Sequence, residues 1–100
     1  MAKFARVTRF EDSPEQLSAA VEQFRMELAP IAKRLPGCEG TYLFVDKESG
    51  RGMAITLWRT EEAMKGGEDV AKNLRSRAAK DQREAGLTLW SVEHYEVAVE

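Results

Sequence analysis

The chain has one cysteine, one histidine, three prolines and only 8% aromatic residues among its 100 positions, and neither sign of charge prevails. Cys38 alone closes no intrachain disulfide, and one Cys with one His builds no zinc site of the usual Cys/His kind, so no metal is expected. Lys and Arg number 15 against 17 Asp and Glu, a formal charge of −2. That balance gives no pull toward a polyanion, which argues against nucleic acid as a partner and against an anionic membrane surface. No apolar run approaches the roughly 18 residues of a membrane span, and Lys3, Arg6 and Arg9 interrupt the N-terminus where a secretory signal would be apolar. A cytoplasmic protein is expected. What the chain does have is 43% apolar and 32% charged residues, the make-up of a folded globular chain. Its length suffices for one core, so residues 1–100 are expected to form a single domain.

Residues 2–10 alternate with period two, placing Phe4, Arg6, Thr8 and Phe10 on one face of a strand and Ala5, Val7 and Arg9 on the other. Ser13, Pro14 and Gln16 read as an N-cap, a first helical position and the close of a capping box. Leu17, Val21, Phe24, Leu28 and Ile31 follow at spacings of four and three, a single apolar stripe along a helix. Pro30 lies within this pattern, so the helix is expected to bend near Arg25 and Met26 or to restart, before Pro36 and Gly37 end it. Residues 40–46 and 53–58 form two strands joined by the polar loop 47–52. Thr60 with Glu61 and Glu62 starts a helix that Gly66 and Gly67 break. A longer helix runs from about Glu68 to Ala85, and a long strand spans residues 87–99.

The order β, α, β, β, α, β is that of the ferredoxin-like α+β fold, an antiparallel sheet with its helices on one face. Its strands are apolar on both sides: Met53, Ile55 and Leu57 alternate with Ala54, Thr56 and Trp58, and Tyr42 and Phe44 with Leu43 and Val45. A sheet solvated on one face would alternate apolar with polar. Two helices cover one face only, so the other requires a partner, and a two-fold homodimer with sheet facing sheet around a cleft is expected. The aliphatic set Ala5, Val7, Met53, Ile55 and Leu57 is expected under the helices, with Phe4, Arg6, Thr8, Tyr42, Phe44 and Trp58 left for the cleft.

The stretch PGCEGTYLFVDKESG at residues 36–50, with ITLWRTEEAM at 55–64, resembles the dimeric α/β-barrel proteins, and among them the antibiotic biosynthesis monooxygenase domains. The resemblance rests on a Pro-Gly turn, a Gly-led strand, a hairpin, and a third strand ending in Trp before an acidic helix start. It implies a homodimer whose sheets pair into a dimeric α/β barrel, and a pocket for oxidising or rearranging small aromatic molecules, often with no cofactor, neither metal nor flavin. A branch of the family degrades haem with an Asn on the first strand, the Trp ending the third and a His on the second helix. Trp58 matches, but strand one carries Thr8 in place of Asn and residues 68–85 hold no His, which speaks against haem chemistry.

His94, on the last strand beside Trp90, Val92 and Glu96, is a candidate general base if its face lines the cleft, because imidazole ordinarily titrates near neutrality. The alternative is a surface or structural histidine. Trp58 serves either as a flat pocket wall or as dimer-core packing, and Tyr42, Phe44 and Trp90 as further walls or as core. Arg6, flanked by Phe4 and Thr8, requires an anionic neighbour if buried. That neighbour is an anionic substrate or a forming enolate, with Thr8 helping to hold the oxyanion, or else a carboxylate across the dimer. The basic residues from Lys72 to Arg83 are interleaved with acids and read as a solvated helix face. A non-catalytic barrel that binds a small molecule stands beside the oxygenase as an open alternative.

Overall fold

The computed structural model describes residues 3–73, 76 and 88–100, with the backbone alone at Trp90. Strands β1 (Lys3–Glu11), β2 (Cys38–Val45), β3 (Arg51–Trp58) and β4 (Thr88–Val97) form one antiparallel sheet in the order β2-β3-β1-β4. Putting β1 and β3 at the centre is what the ferredoxin-like connection demands, since each helical crossover skips one strand, from β1 to β2 past β3 and from β3 to β4 past β1. The first crossover carries helices α1 (Leu17–Gln23) and α2 (Ala29–Lys33), separated by a π-helical turn, Phe24–Leu28. Helix α3 (Glu61–Gly66) begins the second, and residues 68–73 are again helical. The rest of the helix expected to reach Ala85, and its stop at Gly86, lie outside the described residues.

Pro30 explains the broken first helix. Its ring collides with the carbonyl four residues back and supplies no N–H, so the chain widens by one residue. Ala29 N–H donates to the Phe24 carbonyl, five residues behind it, and Pro30 sits in the first turn of α2 where its missing donor costs nothing. Of the two outcomes expected from the sequence, the restart is present, as α2. The helix start expected at Ser13 falls later: residues 14–16 form a turn closed by Gln16 N–H on the Ser13 carbonyl at 2.9 Å, and α1 starts at Leu17, its N-cap Gln16 making no side-chain cap bond. Ser13 is instead held by Asp12, whose Oδ1 accepts the Ser13 N–H at 2.8 Å. Thr60 does cap α3, accepting from Ala63 N–H at 3.0 Å, with Glu61 and Glu62 in the first turn.

The β2–β3 loop is pinned to β1. Gly50 has φ +81°, and its carbonyl accepts from Asp12 N–H at 2.8 Å. A Cβ there would stand 1.9 Å from the Asp12 carbonyl oxygen, so only glycine fits both the backbone twist and the close approach.

Register settles the faces. Arg6 pairs with Thr56 and His94, and Thr8 with Ala54 and Val92, while Phe4 lies opposite Trp58 and Glu96. These residues lie under the helices. Val7 pairs with Ile55 and Glu93, and Ile55 in turn with Tyr42, while Met53 pairs with Phe44 and Arg9. This second set, with Ala5 and Leu57, forms the opposite face. The expected division is therefore inverted in part: the aliphatic set lies away from the helices, and Phe4, Arg6, Thr8 and Trp58 lie beneath them, while Tyr42 and Phe44 do lie on the open face. The physical reason is that the helix-side layer is built around one large ring, the fully buried Trp58, and needs small or polar neighbours to leave it room. On the open face Tyr42, Phe44 and Tyr95 are each about half exposed, at 50%, 52% and 48%, an unusual display for large aromatic side chains.

Candidate functional site

The site begins at Trp58, the last residue of β3, which is 1% exposed. The far edge of its ring rests on Gly67, where a Cβ would stand 2.7 Å from Cη2. The Arg6 guanidinium, on the neighbouring strand, lies over the ring with Cζ 5.2 Å from the centroid, an attraction between a cation and the electron-rich ring face. Arg6 is itself 3% exposed. Its Nη2 donates to the Met64 carbonyl at 2.5 Å, and its Nε stands 2.9 Å from Glu68 Oε2. The latter contact is an ion pair rather than an aligned hydrogen bond. The anionic neighbour required by the sequence is thus a carboxylate of the same chain, not one across a dimer. The same Glu68 oxygen lies 3.3 Å from His94 Nε2, so Trp58, Arg6, Glu68 and His94 form one connected series across β3, β1, the second crossover and β4. The indole N–H of Trp58 is buried and meets no acceptor among the described residues.

A pocket of about 130 Å³ opens between the sheet and the first helical segment. Phe24, Leu28 and Ala32 wall it from the first helical segment, Leu35 from the turn after α2, and Arg6, Thr8, Thr41, Ala54, Thr56 and Trp58 from the sheet. The π-helical turn matters here, because it carries Phe24 and Leu28, which furnish two of those walls. The volume is close to the roughly 150 Å³ apolar cavity known to hold one benzene.

The structure separates the residues that the sequence placed in one cleft. Arg6, Thr8 and Trp58 line the pocket together. His94 does not: it stands in a separate outer groove of about 780 Å³ with Phe4, Met64, Glu68 and Glu96. Tyr42 and Phe44 stack on each other on the open face, with centroids 6.3 Å apart. The backbone of Trp90 lies in β4, but its side chain lies outside the described residues. This pocket lies between helices and sheet, whereas the cleft expected from the sequence lies between two sheets. Sequence reasoning missed Glu68, Thr56 and the walls Phe24 and Leu28. Thr56 and Trp58 stand two apart on one strand, which was a signal; nothing in the sequence tied Glu68 to Arg6.

Cys38 at the start of β2 is a free thiol, and burial pushes its pKa up. Among the described residues no group of three or more His, Cys, Asp or Glu is arranged to hold a metal ion. No helix among them is long and apolar enough to cross a membrane.

A four-stranded antiparallel sheet with helices on one face and an apolar pocket beneath them defines a ferredoxin-like α+β protein. The family model described as antibiotic biosynthesis monooxygenase matches residues 3–66, and the chain belongs to that family. Over 76 residues it is 34% identical to the uncharacterized protein Rv2558 of Mycobacterium tuberculosis, covering 76% of this chain and 32% of that one. The chain thus spans about a third of the length of the curated relatives it matches. Among solved structures, NE2512 of Nitrosomonas europaea, a protein of unknown function, superposes with a TM-score of 0.71 at 20% identity, covering 100% of this chain and 93% of the other. The N63A mutant of SnoaB, a cofactor-independent oxygenase from Streptomyces nogalater, superposes at 0.59 with 18% identity, covering 98% and 93%. Both likenesses concern the fold.

Proposed function

We propose that this protein is a cofactor-independent monooxygenase that oxidises a small aromatic, polyketide-like molecule in the helix-side pocket of each protomer of a homodimer. The observation that carries the reading is the pocket itself: a ring-sized apolar space walled in part by Trp58, with the Arg6 guanidinium over that indole. Family membership supports the class of reaction.

Dioxygen reacts slowly with closed-shell molecules, but an enolate or phenolate can give it an electron. In this reading a ring CH₂ made acidic by a neighbouring carbonyl loses its proton to water at the pocket mouth, and the anion passes one electron to O₂. The two radicals join, and loss of water from the peroxide leaves a new carbonyl. One oxygen atom enters the product and the other leaves as water, so that CH₂ and O₂ become C=O and H₂O. Arg6, Thr8 and Thr56 hold the oxyanion as it forms, the Trp58 ring walls the space beside it, and Phe24 and Leu28 keep bulk water off the ring. His94 stands outside the lining, so the scheme relies on the acidity of the substrate and not on an imidazole base. Tyr42 and Phe44 belong in this reading to the dimer contact, where half-exposed aromatic residues on an uncovered sheet gain most by burial. The setting assigned is the cytoplasm, which cell fractionation tests.

Oxygen uptake with a panel of anthrone-type and dihydroxyaromatic compounds is the decisive measurement. One O₂ consumed per carbonyl formed, lost in Trp58→Ala, is the expected result. A second reading, a binding protein with no catalysis, is favoured by one observation: among the described lining residues Arg6 alone is charged, and none is an acid, His or Lys able to take a proton. Tight binding of the same compounds without oxygen uptake would establish it. For the dimer, sedimentation should give twice the 11.3 kDa chain mass, and Phe44→Glu should halve it.

A further inference from the structure

The charge of the pocket is decided by a residue that does not line it. We infer that Glu68, by neutralising Arg6 at 2.9 Å from outside the pocket, makes the site select uncharged aromatic ligands over carboxylates of the same shape. The inference rests on the pocket being the ligand site. Arg6 is the one charged group among the described lining residues, and its side chain is 4% exposed. Left alone, a buried guanidinium would draw an anionic ligand strongly, because little solvent screens it. With Glu68 on Nε and the Met64 carbonyl on Nη2, that demand is met by the chain itself. A ligand carboxylate entering the pocket would lose its hydration and find a cation already paired, while the remaining walls offer mostly apolar side chains. A neutral ring with an oxygen or amide acceptor suffers no such loss. Charge that develops later on a substrate oxygen is a different matter, since it forms after the ligand has bound and the donors are already in place.

Benzamide and benzoate test this, being nearly equal in shape and different by one charge. At pH 8 benzoate is fully ionised, and calorimetry on the whole protein should show wild type binding benzamide at least about tenfold more tightly. Glu68→Gln should bring the two affinities together or reverse their order, and Glu68→Asp, which keeps the charge, should retain the wild-type preference. Equal binding in wild type, or an unchanged ratio in Glu68→Gln, would overturn the inference and leave the pocket reading intact. If Glu68→Gln fails to fold, the wild-type ratio and that of Glu68→Asp still decide it. Binding of neither compound, or binding that survives filling the pocket in Ala54→Phe, would overturn the pocket reading and this inference with it.

Discussion

Gly66 and Gly67 are neighbours whose replacement by alanine should have opposite effects. An added Cβ at Gly66 meets nothing within 4 Å, whereas at Gly67 it stands 2.7 Å from Trp58 Cη2 and 3.4 Å from Leu35 Cδ1. Ordinary carbon contacts lie at about 3.5–4.0 Å, so the indole must retreat by roughly 1 Å. The tip of a flexible side chain could do so cheaply. This ring is 1% exposed, held under Arg6 and bounded by the pocket, and the free direction leads into the space a ligand would occupy. Gly67 itself has φ −88° and ψ 0°, which alanine adopts without strain, so the effect should be one of packing alone. Overpacking of this kind costs about 1–3 kcal/mol, which lowers the melting temperature by about 4–8 °C per kcal/mol in a domain of this size. Gly66→Ala, at the end of α3, should be stabilised by about 0.4–1 kcal/mol through the lost freedom of the unfolded chain. Thermal unfolding by circular dichroism reads both, and benzamide binding reads the pocket. If Gly67→Ala melts with the wild type and binds as well, the indole is not wedged between glycine and pocket, and the account of the site built on it fails.

Three further outcomes follow from the geometry. His94→Ala should leave pocket binding and oxygen uptake within about twofold of wild type, since the imidazole lies in the outer groove; a loss of two orders of magnitude would return it to the role of base. Burial raises the Cys38 pKa, so its alkylation by iodoacetamide should be slower than that of free cysteine at pH 8 and climb only at more alkaline pH; an inflection at or below the ordinary thiol value of about 8.5 would contradict the burial. The Asp46 carboxylate accepts the backbone N–H of Glu48 at 3.0 Å and of Ser49 at 3.4 Å, which holds its pKa below the usual range. A depressed folded pKa means stabilisation that is present above the unfolded value and lost as pH falls through the folded one. Asp46→Ala should therefore melt below wild type at pH 7, with the gap closing below about pH 4; a gap independent of pH would refute the link.

The order of elements was legible because it depends on local chemistry: alternation in β1, Thr60 with two acids before α3, and Pro30 forcing a break that the chain resolves as a π-helical turn. The reciprocal half of the expected capping box is lost for an equally local reason, since Asp12 Oδ1 takes the Ser13 N–H that the Gln16 side chain would otherwise accept. What was not legible was the side of the sheet that each apolar set occupies. Period two sorts residues into two sets, and a hydropathy pattern names the buried one only when the other is polar. In β3 both sets are apolar, so Met53, Ile55 and Leu57 looked the better helix floor. The layer that does lie under the helices is organised around a single tryptophan, with Ala54, Thr56, Thr8 and Gly67 small enough to leave space beside it, and that space is the pocket. Arg6 was correctly read as needing an anion, yet the anion is 62 positions away, brought beside it only by the second crossover. In a chain of this kind the elements follow from short-range pattern, whereas the chemistry of the site depends on which small residues leave room and which distant charge is folded into contact. The second kind of information exists only in the packed structure.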